Sequence, residues 1–272
     1  MIFERYTPVF PLCRFVESFI YYRDYDPVHK IDRFLPDGNV NIVVDLTDYP
    51  KYIYDNDSLK EIQSCRNVWF SGIRNKFISI PSGKDSEMFV INFHKGMAYP
   101  FVQMPLHELT DSVVDGELVL TSEIMNLREK ILEAKMISQK FFTVEQYLLE
   151  KFSTKLVMNP FVAFAVDAIM HNPGFLSIKR ISEKAGYSQK HLIRIFREHV
   201  GLTPKSFLKV MRFQKAIDEI AASKQVKWTD VALESGYYDQ AHFINDFRDF
   251  SGFTPEEYLR KQYEYLNYIP VD

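Results

Sequence analysis

Apolar and polar positions follow two rhythms along this chain, and the rhythm changes near residue 120. Between about 34 and 103 the apolar residues come in short β-rich runs: Asn41 to Leu46, Val68 to Ile73, Phe77 to Ile80 and Met88 to Phe93. Pro36-Asp37-Gly38, Pro50 and Pro81-Ser82-Gly83 break the runs apart. Short strands at regular spacing predict a compact β-sandwich or barrel-like domain. Phe15 to Tyr22 fits a strand or a short helix equally well.

After Leu120 the period lengthens. Ser122 is placed to cap a helix in which Ile124, Leu127, Ile131 and Leu132 recur at helical spacing, and a second helix is predicted around Val144 to Phe152. These two either cover the β domain or form a dimer seam. Asn159-Pro160 opens a further helix, Phe161 to His171, which Asn172-Pro173-Gly174 ends. The pattern predicts an α+β multidomain chain: a β-rich domain over 1–120, a helical linker over 121–156, and an all-α domain over 157–262.

A single segment of the helical region occurs twice, as IFREHVGLTP at Ile195 to Pro204 and DFRDFSGFTP at Asp246 to Pro255. Residues 51 apart pair as Leu192/Phe243, Phe196/Phe247, Arg197/Arg248, Gly201/Gly252, Thr203/Thr254 and Pro204/Pro255. Upstream the offset is 50, pairing Ile181/Val231 and Gly186/Gly236, so the second copy carries one extra residue just after its glycine. Each copy reads as two helices around a glycine turn, the outline of a helix-turn-helix. In the first, a supporting helix spans 178–185 after Ser177, and Ser188 caps a second helix over 189–200. Leu192, Ile195, Phe196 and Val200 form its buried stripe, and Gln189, Lys190, Ile193, Arg194 and Arg197 stand opposite. Such side chains suit phosphates and base edges, because a helix N-terminus attracts phosphate and Arg pairs guanine through two hydrogen bonds. In the second, the supporting helix spans 229–235 with Thr229 as its cap, and Asp239 caps 240–250. Phe243, Phe247 and Phe250 are its core, while Gln240, Ala241, His242, Ile244, Asn245 and Arg248 divide between groove, rim and core.

Between the units, Thr203 caps a helix running from Pro204 to about Ala222. At 1.5 Å per residue it spans roughly 28 Å, close to the roughly 34 Å that separates successive major-groove faces on one side of B-DNA. One chain can therefore carry both reading helices to one face of a duplex.

Charge supports that assignment only when taken by region. The 272 residues sum to −3, but 1–173 hold 18 Lys+Arg and 23 Asp+Glu, whereas 174–261 hold 15 and 11. The two units also differ: 175–200 carry six basic and two acidic groups, and 225–250 carry two basic and five acidic. Since phosphate neutralisation supplies most non-specific affinity, the first unit is expected to anchor and the second to tune. The alternative for the acidic excess is a protein-facing surface, one that meets RNA polymerase.

The chain here resembles the AraC/XylS family of bacterial transcription regulators. The residues that carry the resemblance are Ile181-Ser-Glu-Lys-Ala-Gly-Tyr-Ser188, Leu192-Ile-Arg-Ile-Phe-Arg197, Gly201-Leu-Thr-Pro204, Gly236-Tyr-Tyr-Asp-Gln-Ala-His-Phe243, Phe247-Arg248 and Gly252-Phe-Thr-Pro255. The resemblance implies that the first recognition helix makes the main base contacts through Lys190, Ile193 and Arg194, with Gln189, His191 and Arg197 nearer the backbone. The matching positions in the second are Gln240, Ala241, His242 and Asn245, where the family often has Arg in place of Asn245. It further implies a cupin-like N-terminal sensory domain, similar over Phe34-Leu-Pro-Asp-Gly38, Asn41-Ile-Val-Val-Asp45 and Phe93-His-Lys-Gly-Met-Ala-Tyr-Pro-Phe101.

The front half shows no sign of catalysis. His29, His94 and His107 are far apart and form no His-x-His pair, so no metal or other cofactor is expected. No nucleophile motif or phosphate loop occurs. Phe89, Phe93, Tyr99 and Phe101 are either core or the wall of an effector pocket. Cys13 and Cys65 are isolated, which fits idle thiols in a reducing compartment. With no apolar run near the roughly 18 residues of a membrane span and no leader-like start, a cytoplasmic protein is expected. Two functions follow: a ligand-responsive DNA-binding regulator, or a constitutive DNA-binding protein whose β domain only pairs protomers into a homodimer.

Overall fold

The computed structural model describes residues 1–102, 104–120, 123–173, 178–184, 186–223, 225–262 and 265–271. Its strands are β1 (Ile2–Tyr6), β2 (Val16–Arg23), β3 (Ile31–Phe34), β4 (Asn41–Asp45), β5 (Lys51–Tyr54), β6 (Glu61–Cys65), β7 (Val68–Ser71), β8 (Ile78–Pro81), β9 (Glu87–Phe93), β10 (Val113–Asp115) and β11 (Tyr268–Pro270). They form a six-stranded sheet of order β1-β2-β9-β4-β7-β10 and a five-stranded sheet of order β11-β3-β8-β5-β6. The ambiguous segment at 15–22 is therefore a strand. It pairs antiparallel with both β1 and β9.

Alternation along these strands fixes two environments. On the six-stranded sheet Phe19, Tyr21, Ile42, Val44, Phe70, Phe89, Ile91 and Phe93 are almost fully buried on the outer face. Two helices, α3 (Glu123–Glu133) and α4 (Ile137–Phe152), follow the short α1 (Tyr99–Val102) and α2 (Gly116–Leu120) and cover that face. Phe141 of α4 packs 5.6 Å from Phe89 and 5.4 Å from Tyr6. Buried polar groups fasten the cover: Arg128 Nε donates to Asp45 O at 2.7 Å, and Glu145 accepts from the Val9 amide at 2.7 Å. In this packing the two helices cover the sheet. Ile124, Leu127 and Ile131 are buried, whereas Leu132 sits 39% exposed at the edge of the stripe. Ser122, expected to cap α3, lies outside the described residues.

The helical region continues with α5 (Pro160–His171), α6 (Ile178–Lys184), α7 (Gln189–Val200), α8 (Pro204–Ala222), α9 (Trp228–Glu234), α10 (Gln240–Ser251) and α11 (Pro255–Lys261). Asn159 caps α5 by accepting from the Phe161 and Val162 amides. Beyond α11 the chain returns to the β domain, where β11 pairs antiparallel with β3 in the register Tyr268↔Phe34, Ile269↔Arg33 and Pro270↔Asp32. Nothing in the sequence pattern predicts this closing strand, because three residues ending in Pro give no periodic signal.

Candidate nucleic-acid interface and the cavity behind it

The duplicated segment is duplicated in geometry. After α6, Gly186 takes a φ of +72° with its amide on Glu183 O, and the Tyr187 amide reaches back to Ser182 O. After α9, Gly236 takes +86° with its amide on Leu233 O, and the Tyr237 amide bonds Ala232 O. Both turns are thus the same glycine-dependent helix stop. The extra residue of the second copy is Tyr238, which stands 90% exposed at the foot of α10.

Each reading helix is capped as expected. Ser188 Oγ accepts from the His191 amide at 3.3 Å, and Asp239 Oδ1 accepts from the His242 amide at 2.7 Å. The supporting helix of the second unit differs from expectation. It starts at Trp228 after Lys227, which provides no side-chain cap, so Thr229 lies inside the first turn. Ser177 and Ala185 of the first unit lie outside the described residues.

On α7, Leu192, Phe196 and Val200 are buried, and Gln189, Lys190, Ile193, Arg194 and Arg197 are exposed with His191 half-buried. The His191 ring stacks on Tyr187 at 4.7 Å, which itself packs on Phe161. On α10, Ala241, His242, Asn245 and Arg248 are exposed, Gln240 and Ile244 are half-buried, and Phe243, Phe247 and Phe250 are core. Asp246 points inward: its Oδ1 pairs with Lys209 of α8 at 2.9 Å, and its Oδ2 stands 3.5 Å from His242. Two of the five acidic groups counted in this unit, Asp239 and Asp246, therefore do internal work. The helix between the units is α8, 19 residues capped by Thr203, whose Oγ1 accepts from the Ser206 amide at 3.0 Å.

Both reading helices end against the β domain. Gly201, with φ +98°, terminates α7, and a Cβ there would stand 2.6 Å from Ile73 Cγ2 and 3.2 Å from Leu106 O. Its carbonyl accepts from Thr110 Oγ1 at 2.9 Å. Gly252, with φ +73°, terminates α10 beside Arg33 and Phe77. Arg33 donates to Ser251 O at 3.3 Å and lies over the rings of Phe77 and Phe253. The spacer helix joins the contact, with Gln214 Nε2 donating to Pro36 O at 2.7 Å and Met211 and Phe207 packed on Gly38.

Behind this seam a cavity of about 420 Å³ lies between the two sheets. Its walls are the inner-face residues of the same strands, among them Ile20, Tyr22, Val43, Trp69, Met88 and Val90. The aromatic set singled out in the sequence does not line it. Phe89 and Phe93 have the opposite strand parity, so they and Phe101 are core beneath the helical cover. Tyr99 faces α7 instead, its hydroxyl 3.3 Å from Glu198 and its ring 4.0 Å from that of His199. Burial holds the Tyr99 phenol above and the His199 imidazole below their ordinary values.

The sequence reading missed the cavity residues. The available signal was the polar inner positions Asn39, Asn41 and Asn92 within otherwise apolar strand-rich sequence. The three histidines weighed as ligands lie apart: His29 Nε2 is 2.9 Å from Asp32, His94 Nε2 is 3.1 Å from Cys13 O, and His107 is in the turn Leu106–Leu109 with its Nδ1 buried and without a hydrogen-bond partner. Among the described residues no three His, Cys, Asp or Glu side chains cluster as metal ligands, and no single helix is long and apolar enough to cross a membrane.

A family profile described as a helix-turn-helix domain matches residues 181–261, and a domain of unknown function (DUF6597) matches 4–115. An uncharacterized HTH-type transcriptional regulator of Haemophilus influenzae is 27% identical over 175 residues, 64% of this chain and 56% of that protein. Uncharacterized HTH-type transcriptional regulators of Staphylococcus aureus are 28% identical over 156 residues, 56% of this chain and 20% of theirs. The chain thus spans about half the first relative's length and a fifth of the others'. Among solved structures, apo ToxT of Vibrio cholerae aligns over 89% of this chain and 97% of its own, at 12% identity and a TM-score of 0.47. The C-terminal domain of AraT, a response regulator of Geobacillus stearothermophilus, covers 39% of this chain and 89% of its own, at 22% identity and a TM-score of 0.37.

Proposed function

We propose that this chain is a sequence-specific, ligand-responsive transcription regulator of the AraC helix-turn-helix type, which lays α7 and α10 into successive major grooves. Lys190, Ile193 and Arg194 take the base edges of the first groove, with Gln189, His191 and Arg197 toward its phosphates. Gln240, Ala241, His242 and Asn245, with Arg248 at the rim, engage the second. The partner is double-stranded chromosomal DNA in the cytoplasm. RNA polymerase is the partner proposed for exposed acidic residues of the second unit, Asp230 and Glu234 among them.

One observation carries the ligand-responsive reading. The segments that line the cavity with one set of side chains touch the reading head with the next: Asp32 and Phe34 flank Arg33, Asp37 precedes Gly38, Arg74 follows Ile73, and Ile78 follows Phe77. Packed walls of this kind switch between discrete arrangements more readily than they deform. A molecule that reshapes the inner side therefore moves the seats of Gly201 and Gly252.

A footprint of the full chain on DNA fragments recovered by selection is expected to show two protected patches on one face, about one helical turn apart. Compounds that raise the melting temperature of the full chain are expected to strengthen or weaken that footprint. A single patch removes the bipartite reading. Stabilisers that leave the footprint unchanged remove the ligand-responsive one.

A further inference from the structure

We propose that the cavity takes a small amphipathic molecule with an apolar, largely aromatic body and one anionic head group, and that Arg74 receives the head. This rests on the cavity being the effector site.

Strand register sorts the cavity wall into levels. Asn92, Asn41 and Ser71 lie side by side across β9, β4 and β7. One level further, Ile20, Val90, Val43 and Trp69 are aligned, and beyond them Tyr22 is paired with Met88. From Asn92 to Met88 is about 14 Å at ~3.4 Å per residue. Across the cavity Phe34, Ile78 and Tyr268 adjoin one another in the second sheet. The Asn92–Asn41–Ser71 level is therefore polar and the next levels of this sheet are apolar with aromatic rings, while His29, Asp32, Lys51, Ser82 and Ser86 also line the cavity.

Arg74 follows Ser71 of the polar level. It is 6% exposed, yet among the described residues it makes no ion pair within 4.0 Å, and its Nη2 is buried with no hydrogen-bond partner. Burial pushes its pKa down to about 10, which leaves it charged at neutral pH. Asp111 and Asp37 act on it only through space, and Asp37 is itself held by the amide and side chain of Asn39. A buried cation without a counter-ion is costly, and a guanidinium fits a carboxylate through two parallel hydrogen bonds. Asn41 Oδ1 and Asn92 Oδ1 are likewise buried without partners at this level, two acceptors that call for a donor on the molecule other than the anionic head.

Two other charged lining groups, Asp32 and Lys51, lie away from the reading head, and Lys51, like Arg74, is buried with no ion pair within 4.0 Å among the described residues. Asp32 faces His29 at 2.9 Å, and Lys51 lies 4.2 Å over the Tyr49 ring under the field of Asp45 and Asp85. Arg74 alone joins a missing partner to direct contact with the reading head, since the preceding Ile73 abuts Gly201. Pairing at Arg74 thus acts on the residue against which α7 ends.

The test uses the full chain with Trp228→Phe, which leaves cavity-lining Trp69 as the single tryptophan. The probes are 4-phenylbutyrate and its neutral isostere 4-phenylbutyramide, read by Trp69 emission. The carboxylate is expected to bind at least tenfold more tightly than the amide. Arg74→Gln is expected to abolish that preference while keeping amide binding, Lys51→Met to retain it, and ligand-free Arg74→Gln to melt no lower than its parent. Should Arg74→Gln fail to fold, Arg74→Lys, which keeps the charge without the fork, must still reduce the preference. Amide binding equal to carboxylate binding overturns the anionic head and leaves the cavity reading intact. A preference that survives at Arg74→Gln, or disappears at Lys51→Met, overturns the role of Arg74. Binding of neither probe overturns both the inference and the effector site beneath it.

Discussion

Tyr99, from the β domain, donates its phenolic hydrogen to Glu198 of the first reading helix across 3.3 Å. The other oxygen of that carboxylate stands 3.6 Å from Arg194, one turn earlier on the same helix and 65% exposed. The group expected to read a base edge is therefore in competition: it can pair with Glu198, or it can leave for DNA. A β-domain hydroxyl helps fix the carboxylate that holds it.

Removing the competitor should favour DNA. Exposed ion pairs are worth about 0.2–1 kcal/mol, so Glu198→Gln is expected to tighten operator binding by about 1.4-fold to fivefold. Tyr99→Phe leaves the carboxylate in place and is expected to change affinity less. Both are measurable by fluorescence anisotropy at fixed salt. Weaker binding by Glu198→Gln would show that the carboxylate positions Arg194 and does not restrain it.

Much of the reading head was legible because its signals are local. Ser188, Thr203 and Asp239 cap the helices that their spacing predicts, and α8 runs between the residues expected. Thr229 misled because its neighbour Trp228 packs against the core and pulls the helix start forward by one residue. The effector aromatics misled for a different reason. Phe89 and Phe93 share a strand with cavity residues Met88 and Val90, and sequence alone does not say which face of a doubly covered strand meets the empty space. The docking of Gly201 and Gly252 was hidden as well, since a C-terminal helix glycine has the same local signature whether its far side meets solvent or another domain.

Two glycines of the first unit separate those cases. A Cβ at Gly186 meets nothing within 4 Å, so Gly186→Ala carries only the cost of a positive φ, about 1 kcal/mol. At Gly201 the same change adds a collision with Ile73 and the Leu106 carbonyl. Gly201→Ala is expected to destabilise by at least about 2 kcal/mol more and to increase protease sensitivity between the β domain and α7. Equal melting temperatures for the two variants would mean that the seam yields freely.

His199 makes the seam acid-sensitive. Burial against Tyr99 holds its pKa below the ordinary value near 6.5, so the folded state keeps it neutral. As pH falls through about 6.5 the unfolded chain takes up the proton first, and stability declines until the lower folded pKa is passed; above that window this group contributes no slope. Thermal melts from about pH 8 to about pH 5 should show the decline, and His199→Gln should reduce it. An unchanged slope in the variant would assign the acid sensitivity elsewhere.

The last strand returns from the reading head to the five-stranded sheet. Ile269 is fully buried, and the Asn267 and Gln214 side chains exchange hydrogen bonds of 3.0 and 3.3 Å, joining that segment to the spacer helix. Ile269→Ala is expected to cost about 2–5 kcal/mol as a buried large-to-small change, seen as a lower denaturant midpoint. Asn267→Ala, which removes the amide pair with little loss of packing, should cost about 1 kcal/mol. A large loss for Asn267→Ala with none for Ile269→Ala would place the strength of this closure in the polar link.

The two reading helices are expected to contribute unequally. On α7, Lys190, Arg194 and Arg197 are all exposed, whereas α10 exposes Arg248 beside Asp249 and turns Asp246 onto Lys209 and His242. The inward Asp246 removes some of the acidic excess counted along the sequence, yet it adds no cation to the groove face. Losing a bidentate base contact costs about 1–3 kcal/mol, so Arg194→Ala should weaken operator binding about tenfold or more and relax base preference in the first half-site. Asn245→Ala should weaken it less than about threefold, with its effect confined to the second half-site. Arg197→Ala, at a phosphate-facing position, should weaken all sequences alike and lower the slope of log affinity against log salt by about one. These are separable in one titration series over salt and mutated half-sites. Equal losses for Arg194→Ala and Asn245→Ala would sink the division into an anchoring and a tuning unit.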